Sequence, residues 1–136
     1  MKEKVDITMD INKSELLKML SAYYTEKLNK EANIKLNISK ELRGYGYSEY
    51  NEVILEFYFV NEHNLGPAKV KITNTLTKED INEALSEIIE KLGYSVDAVN
   101  YKTGTRSTGY YDDYEEPYFE GVTLNLKQKG MKRVLE

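Results

Sequence analysis

The chain has no cysteine and no tryptophan, and only one histidine and two prolines in 136 residues. Without cysteine there is no disulfide framework, no thiolate metal site and no thiol nucleophile, which fits a reducing compartment. His63 is the single histidine and sits in a turn-like stretch beside Asn61 and Asn64. With no serine-centred motif either, no nucleophile–base constellation is legible, and the chain reads as non-catalytic. No apolar run approaches the ~18 residues of a membrane span and no signal-like segment opens the chain, so a soluble cytoplasmic protein is expected.

Phosphate chemistry is equally thin. There is no Walker-type loop, and Gly44 and Gly46 lie between strands rather than at the start of a helix. Residues 104–109 resemble a phosphate cradle in composition only, since no lysine and helix follow. Asp112, Asp113, Glu115 and Glu116 lack the spaced ligands and mid-loop glycine of an EF-hand. No cofactor or metal is therefore expected. A net charge of −4 and a pI near 5.2 argue against direct nucleic-acid binding.

What the chain does have is an internal echo. At an offset of 65 residues, Val5, Ile7, Thr8, Lys13, Leu20 and Ser21 fall on Val70, Ile72, Thr73, Lys78, Leu85 and Ser86. The similar pairs Ile11/Leu76, Glu15/Asp80 and Leu16/Ile81 keep the same offset without a gap, as does the dipeptide at Gly44 and Gly109. Self-similarity at a fixed offset predicts repeated supersecondary units sharing one core. The expectation is one domain over residues 1–129, made of repeats near 4–60 and 68–127, followed by a frayed basic tail at 130–136.

Each repeat opens the same way. Val5, Ile7, Met9 and Ile11 alternate with polar residues, the period of a half-buried strand. Asn12 and Glu15 then form the signature of a capping box, with Ile11 and Leu16 placed as a hydrophobic staple. The helix is expected to reach about Glu31, with Leu16, Leu20, Tyr23, Tyr24, Lys27 and Leu28 on or beside one face. In the second copy, Val70 and Ile72 alternate, Thr77 and Asp80 repeat the box, and Ile81, Ala84, Leu85, Ile88, Ile89 and Leu92 form the stripe. Glu87 and Lys91 are spaced for an i,i+4 pair, and Gly93 supplies the stop.

Strands are expected at 34–38, 53–60, 96–103 and 122–126, with residues 61–67 as a turn. The fold class predicted is α+β: a tandem β-α-β-β duplication with a mixed, mostly antiparallel sheet, both helices on one face and a pseudo-two-fold axis. Strands separated by a helix are expected to be parallel, and those separated by loops antiparallel.

Two equivalent hairpin loops, 43–52 and 104–121, hold seven of the twelve tyrosines and two of the three arginines. Tyrosine joins a large contact surface to a polar tip, and arginine offers a planar fork that lysine lacks. The predicted partner-binding residues are Arg43, Tyr45, Tyr47, Tyr50, Arg106, Tyr110, Tyr111, Asp112, Asp113, Tyr114, Glu115, Glu116 and Tyr118. Acids interleaved with tyrosines imitate the charge and flat faces of nucleic acid. The expected function is an acidic binding protein, of the kind phages and mobile elements carry, that occludes a basic site on a nucleic-acid-processing or defence protein. Two alternatives stand beside it. One is a small-nucleotide or phosphate-ligand binder in which Arg43 and Arg106 clamp phosphates and loop tyrosines such as Tyr45 and Tyr110 stack on a base; the other is a structural or assembly protein, for which an exposed strand edge would allow a homodimer.

Overall fold

The computed structural model describes residues 5–107 and 115–129. The elements run β1 (Ile7–Asn12), α1 (Lys13–Leu28), β2 (Lys35–Arg43), β3 (Tyr50–Leu65), β4 (Ala68–Leu76), α2 (Lys78–Glu90), β5 (Tyr94–Ser107) and β6 (Glu115–Gln128), with a short 3-10 turn at Gly46–Ser48.

Both capping boxes form as the sequence dictates. The Asn12 side chain accepts from the Glu15 N–H at 2.8 Å, and the Asn12 N–H donates to the Glu15 carboxylate at 3.1 Å. Thr77 and Asp80 repeat the exchange at 3.1 and 2.8 Å. Ile11 and Leu16, the staple pair, are both buried. The first helix stops earlier than its apolar pattern suggests. Asn29 adopts the left-handed conformation (φ 50°) and its N–H turns back to the carbonyls of Glu26 and Thr25. Leu28, expected on the buried face, is consequently exposed. The loop that follows is pinned by Thr25, whose hydroxyl donates to the Ala32 carbonyl and accepts the Ala32 N–H at 3.2 and 3.0 Å. At α2, Leu92 lies past the helix end and is exposed, and Glu87 accepts a hydrogen bond from the Tyr23 hydroxyl of α1.

The strands pair differently from the expectation for a crossover helix. There are two three-stranded sheets, in the orders β1-β6-β5 and β2-β3-β4, and every ladder is antiparallel. β1 does not lie beside β2. It pairs with β6 at the far end of the chain, Ile7 opposite Leu126 through Asn12 opposite Gly121. β4 pairs with β3, Phe57 opposite Leu76 through Leu65 opposite Ala68. The order strand–helix–strand–strand occurs twice, and the opening strand of each half lies beside the last strand of the other. This arrangement gives the last strand of each hairpin a second neighbour, which a half on its own would lack.

Several strands are also longer than periodicity alone suggests. β3 continues through residues 61–65, so the expected turn at 61–67 shrinks to Gly66 and Pro67. Gly66 has φ 64°, the sign required at the first central position of a type II′ hairpin turn. Residues 104–107 pair with 115–118, and Phe119 and Gly121 pair with Thr103 and Lys102, so both segments belong to β5 and β6 and not to a loop.

One continuous cluster of buried side chains joins these elements: Leu16, Leu20 and Tyr24 from α1, Ile81, Leu85 and Ile89 from α2, Phe57 and Phe59 from β3, and Phe119, Val122 and Leu124 from β6. Phe57 meets Phe119 edge-on with centroids 6.1 Å apart, which joins the two sheets within the core. Tyr24 stacks on Phe59 at 6.3 Å, which ties α1 to the β2-β3-β4 sheet. No helix among the described residues is long and apolar enough to cross a membrane.

Candidate functional site

Both predicted loops are the ends of hairpins, and their described parts approach each other. Glu115, at the start of β6, is the junction. Its carboxylate accepts from Thr105 of β5 at 3.1 Å and from the Asn51 side-chain amide of β3 at 3.3 Å. Its carbonyl accepts from the Lys40 ammonium of β2. Pro117 lies in the part of β6 that has β5 on one side only, so its missing N–H costs no ladder bond. A shallow cleft lined by Ile38, Ser39, Lys40, Glu116 and Pro117 runs between the hairpins.

At the end of the β2–β3 hairpin, Glu41 lies directly opposite Glu52, and Arg43 lies opposite Tyr50. Two facing glutamates repel, and Arg43 resolves the conflict. Its guanidinium reaches Glu41 at 2.6 Å and Glu52 at 2.7 Å. The hydrogen bond to Glu52, followed by the charge of Glu41, raises the Arg43 pKa above its ordinary value. Past this fork the chain turns through Gly44 and Gly46. Tyr45 is 93% exposed, and Tyr47 is completely so. Tyr50 and Leu42 are also well exposed, and every residue from 41 to 52 faces solvent. Leu42 was not singled out by the sequence; its signal would have been an apolar residue set among Glu41, Arg43 and Gly44.

On the β5–β6 hairpin, Arg106 stacks over the Tyr118 ring at 4.9 Å from its centroid. Tyr118 in turn lies across Gly104, where an added Cβ would come within 2.5 Å of the phenol oxygen. The absence of a side chain at Gly104 is what lets the ring lie flat there. Arg106 is exposed, Tyr118 and Glu115 are partly covered, and Glu116 is exposed opposite Arg106. Tyr110, Tyr111, Asp112, Asp113 and Tyr114 lie outside the described residues, as does the basic segment at 130–136.

The two arginines expected to form a clamp are therefore each engaged within their own hairpin. Among the described residues, no group of three or more histidine, cysteine or acidic side chains could hold a metal ion. Comparison with models of known protein families, with curated proteins and with solved structures gives no match.

Proposed function

We propose that the chain is a non-catalytic binding protein whose hairpin ends meet a basic surface on another protein. One observation carries the reading: Tyr45, Tyr47 and Tyr50 stand exposed at the end of the β2–β3 hairpin, with Leu42 exposed on the other face of the strand pair. Burying aromatic side chains of this size at an interface supplies large contact area at low entropic cost, which is why tyrosine is enriched at binding hot spots. Around them stand Glu41, Glu49 and Glu52, with Glu115 and Glu116 on the adjoining hairpin. These five carboxylates outnumber Lys40, Arg43 and Arg106, so the surface complements a cationic partner. A cytoplasmic nucleic-acid-processing or defence enzyme with a basic groove is the partner class that fits, and the phage or mobile-element inhibitor is the corresponding role.

The nucleotide-clamp alternative draws less support. Arg43 already satisfies two carboxylates and Arg106 lies on Tyr118, so a phosphate would have to displace existing partners. The test is to immobilise the protein beside a Tyr45→Ser/Tyr47→Ser variant and titrate salt against basic nucleic-acid enzymes of the host. A partner that is lost at high salt and binds the variant at least about tenfold more weakly supports the reading. Binding that ignores both salt and the tyrosines removes it, and a thermal shift with mononucleotides alone would favour the clamp.

A further inference from the structure

β1 and β4 are each the outermost strand of a sheet, and their outer edges have no ladder partner within the described residues. Such an edge is a template for another strand unless its side chains forbid pairing. The two edges carry opposite charge. Along β1 and its approach, Asp6, Thr8 and Asp10 share the solvent face, while Val5, Ile7, Met9 and Ile11 share the core face. Along β4, Lys69, Lys71 and Thr73 share the solvent face, while Ala68, Val70 and Ile72 continue the face that holds Phe57 and Phe59.

That face runs out beyond the core, where Asn61 and His63 of β3 share it with the apolar residues. Paired residues 61–65 and 68–72 form a two-stranded arm on which Leu65 is 65% exposed, Ile72 45% and Val70 38%. At the other edge Val5 is 65% exposed. Charge favours one pairing over the others. Antiparallel pairing of β4 with itself, centred on Val70 or Lys71 with the apolar faces aligned, sets lysine opposite lysine. The same pairing of β1 with itself, centred on Thr8, sets Asp6 against Asp10. Both are penalised. Pairing β1 with β4 brings acids to lysines and apolar residues to apolar residues.

We propose that the occupant of the β4 edge is β1 of a second copy of this chain, so that copies associate head to tail. In the antiparallel register that sets Met9 opposite Val70, Ile7 faces Ile72 and Ile11 faces Ala68. On the other side Asp10 faces Lys69, Thr8 faces Lys71 and Asp6 faces Thr73. Asp6 and Asp10 both flank Lys71 diagonally, within the reach of long side chains. The ladder continues as β2-β3-β4 of one copy and β1-β6-β5 of the next, a six-stranded sheet in which the apolar side chains of the two joined edges adjoin. Asp10 now accepts from the Thr123 hydroxyl at 2.6 Å and lies 3.5 Å from Lys102, and Lys71 lies 3.8 Å from Glu62; these exposed contacts rearrange or are shared on pairing. Because the two surfaces differ, one such junction leaves a free β4 edge on one copy and a free β1 edge on the other, so association closes reciprocally or continues through further copies. The hairpin ends take no part, so this inference stands or falls separately from the proposed function.

Sedimentation and light scattering over a concentration series at low salt provide the test. The full chain should gain mass with concentration and lose it as salt rises. Lys69→Glu/Lys71→Glu and Asp6→Lys/Thr8→Lys, each alone, should lower association by about tenfold or more. Mixing the two variants should restore it, because the unaltered β1 of the first meets the unaltered β4 of the second. Both variants are checked for folding by circular dichroism, and the milder Lys69→Gln/Lys71→Gln pair should weaken association partly if reversal disturbs the arm. A strict monomer at millimolar concentration overturns the inference. So does association indifferent to both edges, or a mixture that fails to recover when both variants are folded.

Discussion

Replacing Gly121 by alanine should be far more damaging than its single added methyl suggests. Gly121 has φ 139°, a region L side chains rarely adopt, and it faces Asn12 at the end of the β1–β6 ladder. A Cβ there would strike the carbonyl oxygen of Ile11 and lie 2.7 Å from the Asn12 Cα. These obstacles are backbone, so no side-chain rotation relieves them. Because Asn12 is also the N-cap of α1, pushing β1 aside disturbs the capping box as well. Backbone strain of about 1–3 kcal/mol plus overpacking of about 1–3 kcal/mol gives a loss of about 2–6 kcal/mol. Urea unfolding followed by far-UV circular dichroism would read this as a midpoint lowered by about 1–3 M, for a slope near 2 kcal/mol per molar. Gly66→Ala is the control: φ is 64° but nothing lies within 4 Å of the new Cβ, so only the conformational cost of about 1 kcal/mol remains. Equal losses in the two variants would refute the close approach of β1 to β6.

Phe57→Ala should cost about 3–5 kcal/mol by opening a void opposite Phe119 where the two sheets meet, measured by the same unfolding experiment. Thr25→Val keeps the shape of the α1–β2 loop but removes both hydrogen bonds to Ala32; a loss of about 1–3 kcal/mol is expected, with faster amide exchange at Ala32. Tyr45→Ser/Tyr47→Ser should change stability by less than about 0.5 kcal/mol, since both side chains are in solvent, which separates a binding role from a folding one. On alkaline titration, burial pushes Tyr101 up to about 12, and burial followed by the charge of Asp80 pushes Tyr24 up to about 12, against an ordinary value of 10.0. The folded state then holds protons that the unfolded state has lost, so stability is intact below pH 10 and falls as pH rises from 10 to 12. Spectrophotometric titration should show late tyrosines, Tyr24 and Tyr101 among them, and their absence in the folded protein would contradict the packing of these two rings.

The candidate site was partly legible in the chain itself. Glycines at 44 and 46 among polar residues mark a turn, and tyrosines in such a turn have no core to enter, so Tyr45 and Tyr47 are exposed as their neighbours imply. The fate of Arg43 was not legible. Glu52 becomes its neighbour only because the β2–β3 register sets Arg43 opposite Tyr50, and periodicity is silent about register across a hairpin. For the same reason residues 104–107 and 115–121 looked like loop. Their mixed polar sequence carries no strong alternation, yet 104–107 pair with 115–118, and Phe119 beside Thr103 anchors the hairpin in the core.

Helix starts were written locally. Asn12 with Glu15 and Thr77 with Asp80 satisfy backbone groups three residues away, so a short stretch of sequence decides them before any packing occurs. Alternation likewise says that Ile7 and Ile11 turn inward and Asp6 and Asp10 outward. Which strand lies beside β1, and in which direction, was decided only by the closed tertiary structure. Backbone hydrogen bonds are the same for every residue pair, so an alternating strand accepts any neighbour whose apolar face matches its own. The choice of β6, more than a hundred residues along the chain, follows from Val122, Leu124 and Leu126 filling the space over Leu16 and Leu20, a fit that exists only once all the elements are present.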